Sequence, residues 1–233
     1  MKVEIGLWGK MVYTVSSFLI LALARLLFRL KIVGIENIPR KGAVIIAPNH
    51  ISYFDPSLVF VSLGIPQRIH CMANKKLFRY WFLRWFMETV GTIPVNQRYS
   101  RKSLADVLRM LHHGHCVIIF PEGKRSKDGR LIQGRPGAVH AAIRADSVIV
   151  PAAVVGSDKV LPYDAKFIKS LSQIEIHFGK PYRIYYPGNK NKIPSTILTE
   201  ETSILMKKIE ELLPENMRST SEQKQEWYGL RAH

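Results

Sequence analysis

A chain of 233 residues with 47% hydrophobic content is long enough for one substantial domain and too apolar to be disordered over most of its length. Its 34 Lys and Arg against 18 Asp and Glu leave a net charge of +16, which points to anionic partners: a nucleic acid, an acidic membrane surface or a phosphorylated substrate. Its two cysteines, Cys71 and Cys116, lie in apolar runs with no C-x-x-C pattern and no His/Cys cluster at ligand spacing, so they read as small buried thiols in a reducing compartment.

The first element in chain order is apolar. Met11 to Ala24 carries no charge, and Arg25 and Arg29 then punctuate a continuing run through Leu30. The uncharged core is shorter than the roughly 20 residues a spanning helix needs. It can be a signal peptide closing near Ala22-Leu23-Ala24, a spanning or re-entrant helix, an interfacial helix with snorkelling arginines, or a buried core helix. Glu4 and the apolar residues beyond Ala24 count against the signal peptide. The expectation is a membrane anchor over residues 1–32. Arg25, Arg29, Lys31, Arg40 and Lys41 follow the run, against Lys2 and Lys10 before it, which places the rest of the chain on the cytoplasmic face of the cell membrane.

The body, residues 33–214, alternates two periods. Ala43–Ala47, Arg68–Met72 and Cys116–Phe120 are short apolar runs of buried-strand type. Val148–Val150, interrupted by Pro151 and continuing to Val155, predicts an edge or bulged strand, because proline cannot donate to a ladder. Gln173–Phe178 alternates polar and apolar. Helical patterns lie between, over Pro56–Leu63, Lys76–Met87, Arg101–His112, Pro136–Ala145 and Glu200–Leu213. This alternation predicts an α/β domain, a largely parallel or mixed sheet flanked by helices, with its site at the carboxyl ends of strands. Residues 215–233 form a charged tail, expected to be poorly ordered. Lys75–Met87 interleaves basic residues with Tyr, Trp and Phe, which suits either a membrane interface or a core-packing helix with a basic outer face.

Two constellations carry chemistry. The first is Pro48-Asn-His50-Ile-Ser-Tyr-Phe-Asp55-Pro56, after the strand Ala43–Ala47. His50 is the only side chain in it that can accept and return a proton near neutral pH. If the loop turns into a helix, Asp55 can fold back onto the imidazole and fix its tautomer, as in a triad without its serine. Asp before Pro is also a helix-capping pair, and Ser52 reads as a turn residue. The second is Phe120-Pro-Glu122-Gly123-Lys124-Arg125-Ser126-Lys127-Asp128-Gly129, after the strand Cys116–Phe120. Glycine permits a tight turn, and Lys and Arg suit phosphate, with Arg binding it bidentately. The alternative is a basic hairpin turn at Asp128-Gly129. No G-x-x-x-x-G-K-[ST] occurs, which excludes a P-loop.

Asn-His-x-Ser-x-x-Asp followed by Phe-Pro-Glu-Gly-x-Arg-Ser resembles the glycerolipid acyltransferase family, nearest to its 1-acyl-glycerol-3-phosphate acyltransferase branch. Gly91-Thr-Ile-Pro-Val-Asn96 resembles the family's second motif and Val148–Gly156 its fourth, so the likeness runs from about Val33 to Tyr185. It departs at Lys124, where Thr is usual, and at Gln97, where Arg is common and Arg98 comes one place later. The resemblance implies a membrane enzyme of phospholipid biosynthesis that uses no metal and no cofactor. Its co-substrate is an acyl thioester, acyl-CoA or acyl-carrier protein, and its acceptor a lysophospholipid. His50 and Asp55 are then catalytic. Glu122, Gly123, Lys124, Arg125, Ser126 and Arg98 are expected to bind substrate, with Glu122 orienting the acceptor and Arg125 holding its phosphate. An anionic membrane surface is expected as a partner and nucleic acid is not, since no helix-turn-helix, zinc or RNP signature is present. Glycerol-3-phosphate or a lyso-aminolipid remains open as acceptor, as does a non-enzymatic basic protein that binds nucleic acid or membrane.

Overall fold

The computed structural model describes residues 15, 18, 19, 22, 25–63, 69–74, 93–95, 101–165 and 167–228. Among these residues seven strands form one sheet, in chain order β1 Lys31–Val33, β2 Val44–Pro48, β3 Ile69–Asn74, β4 Ile93–Val95, β5 Cys116–Ile118, β6 Val148–Val155 and β7 Glu175–Phe178. Their order across the sheet is β1-β7-β6-β2-β5-β3-β4. Every pairing is parallel except β6 with β7, so the sheet is mixed. The described helices are α1 Asp55–Ser62, α2 Arg101–His112, α3 Gly137–Ala145, α4 Ser157–Val160, α5 Ser195–Glu211 and α6 Ser221–Tyr228.

The unbroken apolar runs are explained by burial on both faces. In β2, Ile45 and Ala47 join one hydrophobic cluster, with side chains of α2, α3 and α5, while Val44 and Ile46 join the other, with Phe28, Leu30 and α1. Val117 and Cys116 divide in the same way, as do Ile149 and Val150. Helix α2 has the bounds its pattern predicts: Leu104, Val107, Leu108 and Leu111 recur at helical spacing on the face turned to the core. Helix α5 begins five residues before the expected Glu200. Pro194 supplies φ −58° and a carbonyl for Leu198 N, and Ile197 and Leu198 pack against the core.

Strand β6 corrects one expectation. It is not an edge strand, since β2 pairs it on one side and β7 on the other. Ile149 bridges Tyr182 while Ala152 pairs Phe178, so three steps along β6 face four along its partner. The extra residue lies in the partner segment, and Pro151 O accepts from Gly179 N there at 2.8 Å. N–H and C=O of one strand residue point the same way, so the N–H that proline lacks falls on this loosened side and no ladder bond to β2 is lost.

The chain ends also differ from the sequence pattern. Strand β1 starts at Lys31, and Phe28 and Leu30 are buried in the core, so the folded domain begins within the segment assigned to the anchor. Most of that segment, like the Lys76–Met87 pattern, lies outside the described residues. Among the described residues no helix is long and apolar enough to cross a membrane. The tail does not trail away after Pro214: Met217 is buried in the core and its carbonyl accepts from Leu131 N.

Because β2, β5 and β6 are parallel and in register from Val44, Cys116 and Val148, their carboxyl ends deliver three loops to one edge of the sheet. The last turns at Gly156, φ +83°, where an added Cβ would lie 2.3 Å from Gln173 O. Gly156→Ala should therefore lower stability by about 3 kcal/mol, from left-handed strain and the backbone clash. A urea midpoint unchanged from wild type would show that the turn tolerates a side chain.

Candidate active site

The first loop leaves β2 at Pro48 and is fastened at once. Asn49 Nδ2 donates to Val154 O at 3.1 Å, and Val154 N donates to Asn49 Oδ1 at 2.7 Å. A buried amide that satisfies both backbone groups of one strand residue fixes the exit angle of the chain. Ser52 is a buried turn residue: Phe54 N donates to its hydroxyl and Asp55 N to its carbonyl, both at 3.3 Å, while the hydroxyl donates to Leu161 O at 2.9 Å.

Asp55 opens α1, yet it does not cap that helix, which has no side-chain cap hydrogen bond. Its carboxylate turns back instead. Oδ2 accepts from Ile51 N and Ser52 N, both at 2.7 Å, and lies 2.9 Å from His50 Nδ1. Oδ1 accepts from Ser157 Oγ at 2.6 Å. Asp55 is fully buried, and four donors around a carboxylate offset the cost of keeping a charge out of water. A carboxylate against Nδ1 fixes the tautomer with the proton on Nδ1, leaving Nε2 as the basic nitrogen. The imidazole is 17% exposed and lies 4.3 Å from the Phe120 ring, centroid to centroid. It is accessible on one side and packed on the other.

The second loop reaches the first through its backbone. Ser126 N donates to His50 O at 2.8 Å, and Glu122 Oε1 accepts from His50 N at 2.6 Å. Glu122 Oε2 accepts from Ile132 N at 3.1 Å. Expected to orient a substrate, Glu122 is 1% exposed with both oxygens on backbone amides, so here it clamps the two loops together. Burial, assisted by the Asp55 charge and opposed by the two amide bonds, pushes its carboxyl up to about 8. Gly123 has φ +68°, and a Cβ there would meet the Arg135 side chain at 2.9 Å, which accounts for glycine by backbone shape. Ser126 is buried and its hydroxyl donates to Asp128 at 2.8 Å.

Arg125 is the phosphate candidate that the fold holds rigid. Its guanidinium stacks 3.5 Å from the Tyr53 ring centroid and 4.2 Å from that of Tyr163, and Nη1 donates to Tyr163 O at 2.9 Å. Two aromatic faces and one carbonyl fix the plane and leave further N–H groups for an anion. Lys124 is exposed. Arg98 lies outside the described residues.

Ser157, Tyr53 and Tyr163 were not expected. Ser157 follows directly on Val148–Gly156, and that adjacency was its only signal. Cys116 is buried and its thiol is pushed up to about 12 by burial, which makes it inert, as its apolar run implied.

A sequence model of the family described as Acyltransferase matches residues 29–155. A chloroplastic 1-acyl-sn-glycerol-3-phosphate acyltransferase of Arabidopsis thaliana is 28% identical over 159 residues, 66% of this chain and 44% of that protein. The 1-acyl-sn-glycerol-3-phosphate acyltransferase of Bacillus subtilis is 28% identical over 153 residues, 65% of this chain and 72% of that protein. The chain thus spans under half the length of the plant relative. The crystal structure of the 1-acyl-sn-glycerophosphate acyltransferase PlsC from Thermotoga maritima superposes with a TM-score of 0.63 at 20% identity, covering 90% of each chain, so the two share a fold.

The Glu122 clamp has a pH signature. Between the ordinary carboxylate range and about 8 the unfolded chain releases this proton while the folded chain keeps it, so the group's contribution to stability is lost as pH rises through about 8. Glu122→Gln is neutral at every pH, and its NH2 meets one of the two amide donors. It should be less stable than wild type at pH 5, with the gap narrowing up to about pH 8 and level from there to pH 9. Urea midpoints that differ by the same amount at both ends of that range would contradict the assignment.

Proposed function

The chain belongs to the acyltransferase family, and from that premise we propose that it moves a fatty acyl group from an acyl thioester, acyl-CoA or acyl-carrier protein, to the free hydroxyl of 1-acyl-glycerol-3-phosphate, giving phosphatidic acid. The observation that carries the mechanism is the 2.9 Å contact of His50 Nδ1 with a buried, fully hydrogen-bonded Asp55. His50 Nε2 takes the proton of the acceptor hydroxyl as its oxygen attacks the thioester carbonyl. The tetrahedral intermediate collapses, the C–S bond breaks, and the imidazolium returns the proton to the departing thiolate. One ester forms and one thiol is released, with no covalent enzyme intermediate and no external oxidant or metal required. Asp55 stabilises the transient imidazolium across Nδ1.

The acceptor assignment draws on two supports. The relatives' names carry it, and Arg125, braced between Tyr53 and Tyr163, offers a guanidinium of the geometry that phosphate prefers. Tyr53 belongs to the same loop as His50, so the phosphate anchor and the base are tied through one short segment. The membrane is the natural place for such an acceptor, and the enzyme is assigned to the cytoplasmic face by the basic residues that follow the apolar run.

His50→Ala should reduce turnover by about 10²–10⁴-fold or more with the fold intact. The assay offers lysophosphatidic acid, glycerol-3-phosphate and a lyso-aminolipid against both donors, and transfer to glycerol-3-phosphate alone would replace the acceptor assigned here. Arg125→Ala should chiefly raise KM for the phosphate-bearing acceptor. Ser157→Ala should lower kcat about tenfold with KM for both substrates unchanged, because it loosens Asp55 without touching substrate, and Ser157→Thr should restore it. A wild-type kcat for Ser157→Ala would remove Ser157 from the positioning of Asp55.

A further inference from the structure

Within the connection between α4 and β7, the stretch 167–171 belongs to neither the core nor the site. Phe167 is 80% exposed, Leu171 59% and Ile168 47%. Large apolar side chains gathered on one exposed segment mark a contact surface more often than idle chain. The segment reads Lys166-Phe-Ile-Lys169-Ser-Leu171, apolar residues interleaved with lysine, and Lys159 and Lys169 are exposed.

Its backbone is fastened at both ends. Lys169 N donates to Val160 O at 2.8 Å, Leu161 O receives the Ser52 hydroxyl, and Tyr163 O receives Arg125. At the far end Ile174 N donates to Phe28 O, and Lys31 N donates to Ile174 O, both at 2.9 Å. That second junction is with the N-terminal segment, whose Leu26 is 79% exposed, Phe18 67% and Leu19 59%. Two exposed apolar stretches far apart in sequence thus lead into one backbone junction, at the buried Phe28 and Ile174. One of them is tied at its other end to the loop that carries His50.

We propose that residues 163–172 form a second membrane contact that dips into an anionic bilayer surface beside the N-terminal segment. Phe167, Ile168 and Leu171 enter the acyl boundary while Lys169 stays with the phosphates, the usual division for an interfacial segment. The segment lies beyond the residues that the family model matches. A bilayer, rather than a protein groove, is favoured by the chain's net charge of +16 and by the lysine spacing. Insertion would hold Tyr163, and through it Arg125 and the His50 loop, at the depth where an amphiphilic acceptor presents its headgroup. That consequence rests on the lipid-acceptor reading, whereas the binding itself does not.

The test is flotation of the full chain with vesicles of phosphatidylcholine, alone or with about one-third phosphatidylglycerol, combined with hydrogen exchange of residues 163–172. On anionic vesicles the wild-type amides of this segment gain protection. The triple variant Phe167→Ser, Ile168→Ser, Leu171→Ser loses about tenfold in partitioning, not all of it, because the N-terminal segment still contributes. Lys169→Glu loses partitioning on anionic vesicles only. Neither readout needs turnover, so failure of the acyl-transfer assay leaves the result standing, and the reverse holds equally. Wild-type partitioning by the triple variant overturns the proposal. Absence of protection in the wild-type segment also overturns it, even if the variant fails to fold.

Discussion

A carboxylate in a dry pocket must be surrounded by donors or give up its charge, and the arrangement around Asp55 follows from that constraint. Four donors meet it: the amides of Ile51 and Ser52, the imidazole of His50 and the hydroxyl of Ser157. Two of them come from backbone that must curl around the carboxylate to reach it, which shapes the loop between β2 and α1. The fourth comes from beyond β6, 102 positions along the chain, so the carboxylate also pins the end of one strand to the loop leaving its neighbour. Removing the carboxylate would leave several buried donors without a partner at once.

Glu122 performs a comparable task with the opposite electrostatics. It too is buried against backbone amides, one of them that of His50. With two donors rather than four, and with the charge of Asp55 nearby, burial prevails and the acid is held near neutral. The two acids thus divide their work by environment: Asp55 stays available to an imidazolium, while Glu122 serves as a hydrogen-bonded spacer between loops. Arg125 is positioned by different means, between aromatic faces that fix a plane without neutralising the cation.

Much of the domain was legible in the residues because its signals are local. The period of α2 is visible in Leu104, Val107, Leu108 and Leu111, and its bounds follow. Strands buried on both faces write themselves as unbroken apolar runs, as β2 and β5 do. Pro151 demands an irregular ladder, and the irregularity falls on the partner segment rather than on the proline's own strand. A proline reports only that its own N–H is missing; which neighbour accommodates the loss depends on strand order. The short β1 has no local signature, because three residues of largely exposed strand show no period and their pairing partner lies in β7.

What the sequence determined by itself was the chemistry available: a histidine and an aspartate five apart after a buried strand, a glycine-bearing basic loop after another, and an α/β alternation that sends both loops to one edge of a sheet. Those features are set by residue type and near spacing, where local rules hold. The tertiary structure decided how each side chain is employed. It turned Asp55 from a helix cap into the partner of His50, set Glu122 against backbone amides and Ser126 against Asp128, and brought Ser157 to Asp55 and Tyr53 and Tyr163 to Arg125. The contacts that join separate loops, Ser157 with Asp55, Glu122 with His50 and Arg125 with Tyr53 and Tyr163, have partners chosen by the order and register of strands. That order is fixed by the burial of two whole faces of the sheet, a global quantity that no window of residues contains.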